Sequence, residues 1–192
     1  MSSLDPNDEQ GYKRRLDAVT IGGAQPLTQP IAIRAYDPEW PELYAREEAR
    51  IRSVLGGRVV RIEHVGSTSV PGLPAKPIID VVLEVPDSSK EHLYAPDLKA
   101  AGYRLSIREP EWYEHRLFKG PGTNINLHVF STACQEVETM LRFRDHLRSD
   151  ASDRELYAKV KRELAGRDWK YVQQYADSKT AVIREILVRA GR

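Results

Sequence analysis

"HVGSTSVPGLPAKPIIDVVLEV", residues 64–85, joins a glycine- and hydroxyl-rich turn to a β-branched run that carries one early acid, Asp80. In "PIIDVVLEV" Ile, Val and Leu fill both alternation sets, the pattern of a strand covered on both faces. It is the expected centre of the sheet. Just upstream, "RVVRIEHV" places Val60, Ile62 and His64 on one side and Arg61 and Glu63 on the other, so a second strand leads into the turn.

Working outward, "DPEWPELYAREEARIRSVLGG" reads as a helix with Asp37 as cap, Pro38 in the tolerated first turn and Gly56-Gly57 as the stop. Trp40, Leu43, Tyr44, Ile51 and Leu55 form its expected buried face, and a short strand is expected before it at Ile31 to Arg34. Residues 1–30 mix polar residues with prolines without sustained period and are expected to be an N-terminal arm, flexible or clamped late onto the domain. On the other side, "SSKEHLYAPDLKAAG" predicts a helix interrupted or started by Pro96 and closed by Gly102. Strands are expected around Tyr103 to Arg108 and Tyr113 to Phe118. The turn "KGPGTN" then leads into "INLHVF" as a hairpin. Helices near 133–148, 152–165 and 168–189 complete the chain. This order predicts an α+β fold with a mixed β-sheet flanked by helices: one domain over 31–192, with a helical segment from about residue 132. It lacks the regular strand–helix alternation of a Rossmann fold.

The 192 residues, 41% hydrophobic and 30% charged, suit one sizeable globular core. No apolar run approaches the ~18 residues of a membrane span, and the N-terminus does not read as a signal peptide. A cytoplasmic location without membrane contact is expected. The single cysteine, Cys134, is expected as a small buried residue in a helix. A net charge of +1 argues against a nucleic-acid partner, but the charge is uneven: from Arg142 onward thirteen Lys and Arg face eight Asp and Glu, a net +5. Such a stretch is either a set of solvated helix faces or a cationic wall facing an anionic ligand.

The opening turn is not a Walker loop, because Pro71 stands where its second glycine belongs and Lys76 is not followed by Ser or Thr. What it offers is Gly66, Ser67, Thr68 and Ser69, a glycine that admits close approach and three hydroxyls beside backbone N–H groups able to form an anion nest. Alone these residues fit an ordinary turn as well as a phosphate cradle. The acid adds weight, since an ionised Asp80 within an apolar strand is costly unless it is paired, metal-bound or reached by water.

A Val-Gly-Ser triplet, twelve residues, then a strand acid resembles the nucleotidyltransferase superfamily. More specifically, "YDPEWPELY", "IEHVGSTSVPGLPAKPIIDVVLEV", "NLHVF", "FRDHLR" and "YADSKTAVI", in that order over about residues 31–190, resemble the GrpB family, a branch of that superfamily sometimes fused to dephospho-CoA kinase. The resemblance implies a nucleotidyltransferase-like fold and a nucleotide or other phosphorylated small molecule as ligand. It also implies a divalent metal, Mg or Mn, held by Asp80 and His128, and transfer of a nucleotidyl group to a small acceptor.

The sequence departs from a full transferase set. Two residues after Asp80 stands Val82 rather than a second acid, and Glu84, on the same face, is about 13 Å along the strand at ~3.3 Å per residue. Glu84 is expected to be a strand-end charge. Asn124, Asn126 and His128 share one face of "NINLHVF", so His128 takes the third acid's place, as a metal ligand, as a base or as a hydrogen-bonded structural residue. Lys76, Arg116 and Lys179 are candidate phosphate contacts, with Lys119 near Arg116 and Tyr175 one helical turn before Lys179. The alternative to a transferase is a non-catalytic nucleotide- or anion-binding regulatory module with a degenerate metal site.

Overall fold

The chain forms a five-stranded mixed sheet with helices on both faces. The structure, a computed structural model, describes residues 9–191. The strands are β1 (Arg61–Val65), β2 (Ile79–Val85), β3 (Arg104–Glu109), β4 (His115–Lys119) and β5 (Ile125–Ser131), in spatial order β1-β2-β5-β4-β3. Only β2 and β5 run parallel. β5 is thus the middle strand and β2 its neighbour, both interior, which accounts for their apolar residues.

On one face, Ile79, Val81, Leu83, Leu127, Val129 and Phe118 pack with Trp40, Ile51 and Leu55 of α2 (Trp40–Leu55) and Leu98 of α3 (Ala95–Ala100). The helix α2 begins three residues later than the cap expected at Asp37, because Asp37 Oδ1 is spent on the Glu39 amide (2.9 Å) in the preceding turn and Pro41 takes the first helical turn. Leu43 and Tyr44 are only partly buried. Gly56, at φ +54°, ends the helix as expected. Pro96 opens α3 rather than kinking it.

The opposite face is covered by α4 (Gln135–Ser149), whose Val137 and Leu141 meet Val65, Val82 and Phe130. Beyond it, α5 (Ala151–Ala165), α6 (Val172–Asp177) and α7 (Thr180–Ala190) form a second cluster, with Val70 and Leu73 of the loop after β1 inserted among Tyr157, Val182 and Ile186. The last expected helix is two. Gln174 Oε1 accepts from the Lys170 and Tyr171 amides (both 2.9 Å) and sets the start at residue 172, while Ser178 Oγ donates back to the Tyr175 carbonyl (2.8 Å) where the axis breaks.

Two further local expectations change. The strand expected at Ile31 to Arg34 is a single bridge, Arg34 to Ala75. Within the expected arm, residues Glu9–Val19 form a helix, α1, tied to the domain by Tyr12 Oη to Asp177 (2.7 Å), Lys170 to Glu9 (2.8 Å) and the Ile21 amide to the Ser106 carbonyl (2.9 Å). Residues 1–8 of that arm lie outside the described residues. No described helix is long and apolar enough to cross a membrane.

Candidate ligand-binding site

The site begins where β1 turns toward β2. Gly66 adopts φ +68° and ψ −173°, a region open in practice to glycine alone, and a Cβ there would lie 2.9 Å from Asp80 Cβ. The backbone therefore runs flush against the Asp80 side chain. Ser67–Ser69 complete one 3₁₀ turn. Thr68 points inward, 1% exposed, its hydroxyl donating to the Ile78 carbonyl (3.0 Å) beside His64 Nε2 (3.0 Å). His64 stacks on Tyr44 at 4.9 Å, and burial pushes its pKa down to about 4, Arg148 and Arg144 adding to the effect against the pull of Asp80. Ser69 Oγ donates to the Gly66 carbonyl at 2.6 Å.

From α4, Arg148 grips the Ser69 carbonyl through Nε (3.0 Å) and Nη2 (2.9 Å), and Arg144 donates to the His64 carbonyl (2.9 Å) and to Glu63 (2.8 Å). The arginines of "FRDHLR" thus clamp the chain on either side of the glycine turn.

Parallel pairing sets Asp80 opposite Asn126 and Val82 opposite His128. Asn126 Nδ2 donates to Asp80 Oδ1 at 2.7 Å, Lys119 donates to Asn126 Oδ1, and His128 Nε2 stands 3.8 Å from Asp80 Oδ1. Burial raises the Asp80 pKa, but His128, Asn126 and Lys76 outweigh it and hold the carboxyl below its ordinary range. Asp80, its side chain 29% exposed, is therefore an ionised, solvent-reached acid at neutral pH.

Four lysines ring that acid. Lys76, Lys119, Lys161 and Lys179 all lie within its field, and burial lowers the pKa of each, to about 7 for Lys161 and about 8 for Lys179. Lys179 Nζ is 4.5 Å and Lys76 Nζ 5.2 Å from the Tyr175 ring centroid, and Lys161 Nζ is 5.1 Å from that of Tyr157. Lys161 also donates to the Pro74 carbonyl. Tyr157 lies beside Ser67 and in the field of Tyr175 and Asp80. The Tyr175 hydroxyl is buried without any hydrogen-bond partner, the one such side-chain atom among the described residues. Loop, strand and C-terminal helices thus gather four ammonium groups around the Asp80 carboxylate.

Residues 30–189 match the GrpB protein family. The chain belongs to the GrpB family. A UPF0157 protein of Halalkalibacterium halodurans is 57% identical over 176 residues, which cover 92% of this chain and 90% of that one. The crystal structure of the conserved protein GrpB from Enterococcus faecalis superposes with a TM-score of 0.72 at 28% identity, covering 83% of this chain and 96% of that one. A dephospho-CoA kinase of Mycolicibacterium paratuberculosis is 29% identical over 187 residues, 84% of this chain but 46% of the kinase.

Of the residues singled out in the sequence, this GrpB chain brings Gly66, Ser67, Lys76, Asp80, His128 and Lys179 together. Thr68 and Ser69 spend their hydroxyls on the loop itself. Arg116, paired in register with Val129, lies on the opposite face of the sheet, bound to Glu91 (2.5 Å) and to the Glu114 carbonyl (2.8 Å). Glu84 is buried rather than a strand-end charge, paired with Arg61 at 2.6 Å and accepting from the Cys134 amide. Cys134 is buried at the N-cap of α4 rather than within a helix. Sequence reasoning missed Lys161 and Tyr157 on α5, and Glu136 on α4, whose carboxyl is raised by burial against the opposing pull of His128. The positive excess after Arg142 was the one signal for the lysines.

The residues present do not fit a resident divalent metal. Magnesium needs several oxygen ligands; here Asp80 offers one carboxylate that already accepts from Asn126, the Asn126 oxygen accepts from Lys119, Val82 offers nothing, and the ligand atoms of Asp80, His128 and Glu136 do not converge as a group. A separate group, His146, Asp150 and Asp153, lies close enough together to ligate. Its atoms are taken, however: Asp153 binds Arg189 (2.6 and 2.9 Å) and His146 (2.7 Å), and Asp150 caps the Asp153 amide (2.8 Å).

Proposed function

We propose that this GrpB protein binds a nucleoside triphosphate or closely related phosphorylated small molecule between Gly66-Ser67 and the lysine wall, with ammonium groups doing the charge neutralisation that metal ions perform in a transferase. The convergence of Lys76, Lys119, Lys161 and Lys179 on Asp80 carries this reading. Clustered ammonium groups desolvated by burial are each unfavourable alone, and a polyanion in their midst relieves both the burial cost and their mutual repulsion. The unpartnered Tyr175 hydroxyl gives the same ligand a donor to an anionic oxygen. Nucleotidyl transfer requires cations that bridge the phosphates and ready the acceptor. The absence of a second acid beside Asp80 on its strand, where Val82 stands, supports binding over transfer, so the site reads as an anion-binding or regulatory centre on a transferase-like scaffold.

Thermal melting with each nucleoside triphosphate, with and without magnesium or manganese, tests this. Stabilisation in metal-free buffer is expected, about 2.7 kcal/mol at a hundredfold excess over Kd, or roughly 5–10 °C for a chain of this size. Asp80→Asn separates the two chemistries: removing the carboxylate that all four lysines face should enlarge the shift, whereas a metal-borne ligand would lose it. The absence of a shift with every triphosphate would refute the reading.

A further inference from the structure

Behind His128, on the side away from Asp80, two more ionisable residues stand in line. His115 on β4 brings Nε2 to 3.0 Å from His128 Nδ1, and Glu109 on β3, its partner in register, brings Oε2 to 2.7 Å from His115 Nδ1. His115 is 3% exposed, stacked between His128 (5.2 Å between centroids) and Phe130 (4.8 Å), with Trp112 edge-on at 5.1 Å. Burial holds its pKa down to about 4, with His128 acting in the same sense and Glu109 against.

Counting donors and acceptors places the hydrogens. The Glu109 carboxylate only accepts, so the hydrogen of a neutral His115 sits on Nδ1 and its Nε2 presents a lone pair. His128 must then donate from Nδ1. This holds whether His128 is neutral or cationic, and Nε2 becomes the one nitrogen at which it gains or loses a proton. That atom faces Asp80 across 3.8 Å, too far for a direct hydrogen bond, with Glu136 of α4 nearby. A hydroxyl beside that gap has one hydrogen to give, to Nε2 or to Asp80, whereas a water gives one to each.

We infer that Glu109 and His115 are positioning residues that lock His128 in the Nδ1–H tautomer, so that it meets whatever occupies the site through Nε2 alone. That the occupant is a bound ligand rests on the Asp80 site being the ligand site. The locked tautomer is a property of the empty protein.

Histidine ring ¹⁵N spectra of the ligand-free protein read the tautomer directly. The wild-type protein should show His128 protonated at Nδ1. His115→Phe keeps the ring stack but removes the acceptor, and His128 should shift toward Nε2–H; His115→Gln, with an amide carbonyl near the former Nε2, should restore Nδ1–H. An Nε2–H signature in the wild-type protein overturns the relay without needing any variant to fold, and an unchanged His128 in His115→Phe does the same. A failure of triphosphates to move the melting temperature overturns the ligand reading and the contact of His128 with a bound ligand, whereas the spectrum judges the relay alone.

Discussion

Gly66→Ala tests the close approach on which the pocket floor depends. The residue sits at φ +68° and ψ −173°, where a side chain costs about 1–3 kcal/mol in backbone strain. The new methyl would also press on Asp80, 2.9 Å from its Cβ, and overpacking of that kind adds roughly 1–3 kcal/mol. A combined loss of about 3 kcal/mol lowers the melting temperature by roughly 6–12 °C at ~2–4 °C per kcal/mol. Gly72→Ala is the matched control: its φ is +78°, but nothing lies within 4 Å of the added Cβ, so about 1 kcal/mol of conformational cost stands alone. The excess of the first variant over the second measures the contact with Asp80. Adding Asp80→Ala to Gly66→Ala removes the carboxylate that the methyl meets, and the pair should show a coupling of about 0.5–3 kcal/mol. Scanning calorimetry of these three variants, with Asp80→Ala alone to close the cycle, decides the matter. If Gly66→Ala melts within about 2 °C of Gly72→Ala, the loop does not lie against Asp80 and the described floor is wrong.

Arg148→Met should loosen the turn without touching the pocket's charges. The two hydrogen bonds to the Ser69 carbonyl are discounted by the partial exposure of the arginine to about 1 kcal/mol, and amide hydrogen exchange over residues 67–70 should quicken while the sheet stays protected. The pH dependence follows from His64 and His115, both pushed down to about 4 chiefly by burial. Between about pH 6.5 and 4 the unfolded chain binds protons that the folded one refuses. Their stabilisation is therefore complete above about 6.5 and is lost as the pH falls, with a slope approaching roughly 2–3 kcal/mol per pH unit. Urea titrations at stepped pH should show it, and a flat profile across that window would mean that these imidazoles are charged in the fold.

Strong periodicity made β1, β2, the β4–β5 hairpin and helices α2, α4 and α5 legible, because burial of an apolar face determines them. The helix α1 was not, since Gly11 is its one buried residue and its stability comes from partners more than a hundred and fifty positions away, such as Asp177 and Lys170. Asp80, His128 and the glycine turn could be grouped from strand alternation. Arg116 and Lys119, three apart on one strand, had to face opposite sides; alternation alone did not say which side held Asn126, and only the register assigns Lys119 to the pocket. Lys161 was invisible because a lysine on an amphipathic helix reads as solvated until the packing of that helix is known. Thr68 could not be oriented either, as a one-turn loop has no alternation to consult.

The β2–β5 pairing has a consequence for how the protein comes into being. It joins Asp80 to Asn126 across 46 positions, and Lys161 meets the carbonyl of Pro74 across 87. Contacts so distant in sequence form late, after the entropy of closing long loops has been met. While the chain emerges from the ribosome, the glycine turn, Lys76 and Asp80 are complete long before Lys161 and Lys179 have been synthesised, so a nascent chain holds the acid with only part of its set of ammonium groups. On the proposed reading, capture of a phosphorylated ligand waits for the finished molecule, and the ligand favours chains whose final helices have docked.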